Sequence, residues 1–165
     1  APSRGLGDVY KRQHIVTQQF LDSFLILSGS GITFGLVIAM LFAAKSKQYK
    51  ALGKVAAFPA IFNVNEPVVF GFPIVMNPVM FLPFIIVPIL AAIIVYTSIA
   101  IGFMHPFSGV TLPWSTPAII SGFMVGGWQG AFVQVLVLAT STVVYFPFFK
   151  FQDNLAYNNE LQAEK

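Results

Sequence analysis

The chain has no cysteine, and only 9% of its 165 residues are charged. The missing cysteine excludes disulfides, thiolate metal sites and cysteine nucleophiles on this chain. Globular proteins carry roughly 25% charged residues, whereas here 56% of the residues are hydrophobic and 18 are phenylalanine. This composition predicts a membrane protein whose surface contacts the lipid bilayer.

The few basic residues are concentrated in clusters. The net charge is +3, and four lysines lie between Lys45 and Lys54. The positive-inside rule explains such a cluster better than nucleic-acid binding does, because the lysines do not alternate with aromatic residues. We therefore expect no nucleic-acid partner, and we place the Lys45–Lys54 loop and the polar tail after Lys150 on the cytoplasmic side.

Three segments are long and apolar enough to cross a bilayer core of about 30 Å. They are Phe20–Ala44, Pro78–Met104 and Trp128–Phe149. The first contains SGSG (Ser28–Gly31), whose small residues allow another helix to approach closely. With cytoplasmic flanks on both sides of the block from Val55 to Phe149, the second and third segments predict two full crossings.

Two further stretches are apolar but broken by proline and glycine, over residues 55–77 and 106–127. Non-helical backbone is tolerated at membrane depth only where protein or a water-filled cavity satisfies it. Interrupted segments of this kind are the best sequence pointer to the substrate site of a transporter. The predicted fold class is therefore all-α: polytopic transmembrane helices with re-entrant, Pro/Gly-broken hairpins.

Glu66 is the sole ionisable residue in the first broken stretch, and the nearest charges along the chain are Lys54 and Lys150. A charged group at the centre of a bilayer costs roughly 2.5–3.5 kcal/mol on insertion scales, which favours a functional role. Pro67 places this carboxylate at a helix break. The structural alternative is that Glu66 braces the broken helix by accepting backbone N–H bonds.

The residues around Glu66 predict a sugar site. Amide side chains suited to sugar hydroxyls surround it at Asn63, Asn65 and Asn77, although these could also simply close turns. The second broken stretch adds an indole and hydroxyls at Trp114, Ser115 and Thr116, where interfacial anchoring is the alternative for the tryptophan, as it is for Trp128. No nucleotide loop, metal-ligand cluster or Ser-His-Asp set is present, so no cofactor or metal is expected. An ion-coupled carrier or channel that uses a lone buried glutamate stays open as a second function, and a purely structural membrane segment as a third.

Three stretches carry a resemblance to the enzyme IIC permeases of the lactose, cellobiose and diacetylchitobiose family, from the bacterial sugar phosphotransferase system. They are GSGITFGLVIAMLFAAKSKQYKALGKVAAFPAIFNVNEPVVFGFPIVMNPVMFLPFI, GVTLPWSTPAIISGF and YFPFFKFQD. The likeness runs from about Ile15 to Asn154, and its NEPV and PWSTP motifs are specific.

The resemblance implies a multi-pass permease of the bacterial inner membrane, dimeric in the full-length protein. Such a permease binds a disaccharide between its re-entrant hairpins, and a phosphocysteine on a separate IIB protein phosphorylates the sugar at its C6 hydroxyl. The phosphoryl donor is then not on this chain, in agreement with the missing cysteines. Cellobiose is the expected sugar, with diacetylchitobiose and lactose as alternatives.

The resemblance also assigns roles to residues and ranges. Glu66, as the glutamate of NEP, is implied to be catalytic by accepting a hydrogen bond, and the proton, from the reacting hydroxyl. Residues 1–13 (APSRGLGDVYKRQ) are expected to be a non-native leader, 14–150 the C-terminal sugar-binding membrane domain, and 151–165 a polar cytoplasmic tail. A histidine of the family's sugar site lies upstream of NEP, and neither His14 nor His105 matches it by position.

Overall fold

The computed structural model describes residues 32–72, 74–105, 112–113 and 115–164. Within these residues the chain is helical and contains no β-strand, which confirms the all-α prediction. The helices are α1 (Phe34–Ala43), α2 (Lys47–Ile61), α3 (Glu66–Gly71), α4 (Pro78–Ala100) and α5 (Ile120–Ala163), and a 3-10 turn at Ile74–Met76 precedes α4. The expected leader and the SGSG segment lie outside the described residues.

α4 and α5 are both long and apolar enough to cross a membrane. α4 has 23 residues, which corresponds to about 35 Å at 1.5 Å per residue. The predicted segments Pro78–Met104 and Trp128–Phe149 are thus confirmed as helical for nearly all of their length, and α5 continues to Ala163.

α4 is apolar on opposite faces. One stripe is buried, with residues three or four apart: Met80, Pro83, Val87, Ala91, Val95 and Ile99. The opposite stripe is exposed and equally apolar: Phe81, Ile85, Ile89, Ile93 and Tyr96. A helix that is hydrophobic all round belongs to a membrane or to the interior of a large protein.

α1 packs closely against α5 at Gly35. A Cβ atom at this position would overlap Ser141 and the backbone nitrogen of Thr142. The Ser141 hydroxyl donates a buried hydrogen bond of 2.6 Å to the carbonyl of Ile32, just before α1. A close approach of two helices is therefore present at Gly35, whereas the one predicted at SGSG stays a prediction.

The predicted Lys45–Lys54 loop is wrong for most of its length, because α2 begins at Lys47. Ser46 has extended backbone and caps the helix, its hydroxyl accepting from the N–H of Tyr49 at 3.3 Å. The lysines face outward while Gly53 packs against Met40 of α1. The segment is helical because one of its faces is buried.

Both broken stretches are interrupted as predicted in the described residues. In the first, α2, α3, the 3-10 turn and α4 follow one another, and the described residues between them, 62–65, 72 and 77, are not helical. In the second, the backbone leaves helical geometry at Gly126 and Gly127. Gly127 has φ 64° and ψ −156°, a conformation that favours glycine. This kink divides α5, and its first residues fold back there onto the part of α5 that follows Gly127.

Candidate functional site

Glu66 lies at the break between α2 and α3. α2 ends at Ile61, and the backbone then passes through Asn63 in the left-handed conformation, with φ 62°. Asparagine tolerates this conformation because its short polar side chain can form local hydrogen bonds. α3 starts at Glu66 with Pro67 in its first turn, where the missing N–H removes no helical bond. The carboxylate therefore belongs to the first residue of a new helix.

The Glu66 side chain is exposed. Across the part of the chain that the structure describes, no hydrogen bond or ion pair engages its carboxylate. The bracing alternative requires this carboxylate to accept backbone N–H groups, but those of Val68 and Val69 bond at 3.0 Å to the carbonyl of Asn65. The carboxylate is thus accessible to a ligand.

A hydrogen bond joins the two broken stretches next to Glu66. The side-chain amide of Asn63 donates to the carbonyl of Thr116 at 2.8 Å. The two residues are 53 positions apart, so this contact fixes one stretch against the other. The structure thereby brings together two residues that the sequence predicts for one site, although the contact itself is structural.

The other two asparagines also bond to the backbone. Asn65 is 9% exposed and its carbonyl starts α3. Asn77 precedes α4, and its side-chain oxygen accepts from the N–H of Val79 at 3.1 Å, as an N-cap does. The side-chain cap explains an asparagine at position 77, whereas the side chain of Asn65 makes no cap bond. A role toward sugar remains a prediction for both.

The second broken stretch is described only in part. Trp114 lies outside the described residues, while Ser115 is exposed and Thr116 is half-buried. The Thr116 hydroxyl donates to the carbonyl of Pro113 at 2.7 Å, which closes a turn. Trp128 is 65% exposed and contacts the ring of Phe103 edge-on at 6.0 Å between centroids. Such exposure is compatible with the anchoring interpretation of Trp128.

The N-terminus of α2 is held by two carboxylates from the end of α5. Asp153 is 0% exposed, and its oxygens accept from the backbone N–H groups of Lys45 at 2.8 Å and Ser46 at 3.0 Å. Glu160, two turns further, accepts from the next two N–H groups, at 3.0 and 3.2 Å. The first four N–H groups of a helix have no intrahelical partner, and these carboxylates supply the acceptors that the start of α2 lacks. The sequence-based description of a solvated tail is therefore wrong for Asp153.

An aromatic cluster lies beside this cap. Tyr49 stacks on Phe72 with ring centroids 4.4 Å apart, and both rings contact Phe149 at 6.0 and 6.1 Å. Burial, and secondarily the charge of Asp153, raise the pKa of Tyr49 above its usual value. Phe72 directly follows α3, so the helix that begins at Glu66 has its far end fixed against α2 and α5.

Charged groups outside the site form few contacts. Lys47 and Glu164 make an exposed ion pair of 2.6 Å, and this pairing lowers the pKa of Glu164 and raises that of Lys47. Among the residues the structure describes, no group of three or more His, Asp or Glu side chains could hold a metal ion.

Comparison with known proteins identifies relatives. The family described as "Phosphotransferase system, EIIC" matches residues 4–88, starting within the expected leader. The lichenan permease IIC component of Bacillus subtilis (strain 168) is 45% identical over 91% of this chain and 34% of its own length. The cellobiose-specific EIIC component of Geobacillus stearothermophilus is 42% identical over 85% of this chain and 32% of its own length.

A solved structure agrees with these relatives. The crystal structure of the transporter ChbC, the IIC component from the N,N'-diacetylchitobiose-specific phosphotransferase system, superposes with a TM-score of 0.85. The two are 40% identical over 88% of this chain and 34% of that chain. The chain therefore spans about a third of the length of these relatives.

Proposed function

Because the chain belongs to the EIIC family of the phosphotransferase system, we propose that it is the sugar-binding C-terminal part of a disaccharide permease whose cargo is phosphorylated during transport. The two membrane-length helices and the interrupted segments beside them support this role. The proposed phosphoryl donor is a phosphocysteine on a separate IIB protein, as the family resemblance implies; the absence of cysteine from these 165 residues is compatible with this.

The observation that carries the proposal is the unengaged carboxylate of Glu66. A general base must approach within about 3 Å of the hydroxyl whose proton it takes, and an exposed carboxylate without a competing partner is suited to this. Glu66 meets both conditions across the described residues. Exposure also disfavours the alternative of an ion site at a buried glutamate.

The proposed ligand is a β-linked disaccharide of the cellobiose type. Lichenan, cellobiose and N,N'-diacetylchitobiose appear in the names of the relatives. Asn63, Asn65, Asn77, Trp114, Ser115 and Thr116 are proposed to bind it, with amides and hydroxyls toward its hydroxyl groups and the indole toward its C–H face. The full-length permease is proposed to act as a homodimer in the bacterial inner membrane.

The test is Glu66→Gln in the full-length permease, with Glu160→Gln as the matched control. Both variants replace one carboxylate by an amide, but Glu160 only caps α2. Glu66→Gln is expected to retain measurable binding of cellobiose and to lose phosphorylation by roughly 10²-fold or more, because an amide cannot take the proton. Equilibrium binding and IIB-dependent phosphorylation are measured on membranes with matched protein amounts.

Two results would contradict the proposal. Wild-type phosphorylation by Glu66→Gln would remove the catalytic role of the carboxylate. Uptake of unmodified sugar driven by an ion gradient, with no phosphorylated product, would instead favour the ion-coupled carrier.

A further inference from the structure

Gln134 is a fully buried amide in α5, with 0% exposure. Its side-chain oxygen accepts from the backbone N–H groups of Ile119 at 2.6 Å and Gly122 at 3.0 Å. Its side-chain nitrogen donates to the hydroxyl of Ser121 at 2.9 Å. Three contacts from one side chain thus fasten the short segment before the kink at Gly126 and Gly127 to the part of α5 after it.

The segment held by Gln134 contains an unfavourable backbone conformation. Ile119 has φ 74°, which is unfavourable for a β-branched residue and persists only where the surroundings impose it. The bond from Ile119 to Gln134 is one such constraint. Close packing is another, because a Cβ at Gly130 would overlap the carbonyl of Gly122.

The segment held by Gln134 is connected to Glu66 through one hydrogen bond. Thr116 lies three residues before Ile119, and its carbonyl accepts the side-chain bond from Asn63. Asn63 in turn lies three residues before Glu66 and also has positive φ. One hydrogen bond and two short pieces of backbone therefore connect the anchored segment to the proposed catalytic carboxylate.

We propose that Gln134 is a positioning residue for the sugar site. In this role it contacts no sugar. It fixes residues 119–122 on the part of α5 after Gly127, so that the Thr116 carbonyl, three residues earlier, holds the Asn63 turn and sets the position of Glu66. Burial makes this role specific: Gln134 is 0% exposed, and the N–H groups of Ile119 and Gly122 lose their acceptor if the amide is lost. The inference rests on the proposed function, because the site that is positioned is the proposed disaccharide site.

The experiment compares Gln134→Leu with Ser141→Ala in the full-length permease. Both side chains are fully buried on α5 and bond to another segment, but Ser141 holds α1 and not the segment that leads to Glu66. Gln134→Leu is expected to weaken cellobiose binding per folded protein about 10-fold or more and to slow phosphorylation at saturating sugar, as displacement of a catalytic group does. Ser141→Ala is expected to lower thermal stability and to leave the affinity within about twofold, because its contacts do not reach the site.

Gln134→Glu provides the rescue. Either protonation state of the glutamate can accept both N–H bonds, and the hydroxyl of Ser121 can donate or accept to match. Affinity is therefore expected to return to within about threefold of wild type, which a loss of stability alone does not predict. If Gln134→Leu gives no folded protein, Ser121→Ala removes one of the three contacts and is expected to weaken binding in the same direction by a smaller factor.

The outcomes separate the two proposals. Wild-type protein that binds none of cellobiose, lactose and diacetylchitobiose would overturn the proposed function, and this inference with it. If the wild-type protein binds one of these sugars and Gln134→Leu leaves the affinity unchanged, the positioning role alone is overturned. Ser121→Ala is judged in the same way when it replaces that variant. Equal weakening by Ser141→Ala would overturn it as well, because the effect would then follow from stability.

Discussion

Replacing Asp153 by asparagine tests the buried cap on α2. The asparagine side chain is the same size, but one of the two acceptor oxygens becomes an NH2 group that faces a backbone N–H at 2.8 or 3.0 Å. One donor, buried at Ser46 or partly buried at Lys45, then loses its partner, at a cost of about 1–3 kcal/mol, and the other keeps a neutral bond in place of a charged one, at about 1 kcal/mol. Asp153 itself is 0% exposed, and the expected loss is roughly 2–4 kcal/mol.

Glu160→Gln is the matched control for this prediction. Glu160 contacts the same helix end through exposed bonds, and an exposed charge at a helix N-terminus contributes about 0.3–1 kcal/mol. Unfolding of the purified permease in detergent, followed by heat or denaturant, gives both values. Losses that agree within about 0.5 kcal/mol would refute the reasoning, because burial would then make no difference to the cap. As an independent check, Asp153→Asn should lower the pKa of Tyr49 toward its usual value without restoring it fully, since burial, the larger cause, remains.

Two further predictions concern topology and packing. Cysteines introduced at Lys50 and Gln162 should be labelled together by an impermeant maleimide in inside-out vesicles and not in intact cells. The reason is that an exposed ion pair joins the start of α2 to the end of α5. Labelling of just one cysteine from outside would contradict the two-crossing topology. Gly35→Ala should separate α1 from α5, because its Cβ would lie 2.6 Å from the backbone carbonyl carbon of Ser141, at a cost of about 1–3 kcal/mol or more. Phe42→Ala is the packing control, since this side chain on the same helix is 87% exposed, and an equal loss there would show that the contact at Gly35 is not tight.

The helices and their interruptions were predictable because they depend on local properties. Runs of apolar residues of sufficient length predict α4 and the central part of α5, whatever surrounds them. Proline and glycine interrupt helices through their own backbone geometry, so the breaks near Glu66 and at Gly126 and Gly127 also follow from the sequence. The same local reasoning identified Glu66 as unusual, since no other charge stands near it along the chain.

Contacts between distant segments were not predictable in this way. The lysine-rich segment was predicted to be a loop because its local sequence does not show what caps its helix. The cap comes from Asp153, more than 100 positions away. In the sequence, Asp153 belongs to a polar tail, and it is buried only because α2 packs over it in the fold. Gln134 is a single amide within an apolar run, and nothing in its neighbourhood along the chain indicates which backbone groups it satisfies. Each of these side chains bonds to backbone of another segment, and the pairing depends on the tertiary fold.

Glu66 differs from the other polar side chains discussed above, because these bond to groups of this chain and its carboxylate does not, across the described residues. Backbone groups at helix breaks and helix ends need partners, and within a membrane water cannot supply them. Asn63 and Gln134 donate to or accept from such groups in the broken stretches, and Asp153 and Glu160 accept from the start of α2. Glu164 pairs with a lysine. Of the four acidic side chains that the structure describes, Glu66 is therefore the one whose carboxylate meets no group of this chain there. Its exposed carboxylate is accessible to a ligand, and the proposed disaccharide would supply a matching partner, because a sugar hydroxyl that is about to lose its proton has the required chemistry.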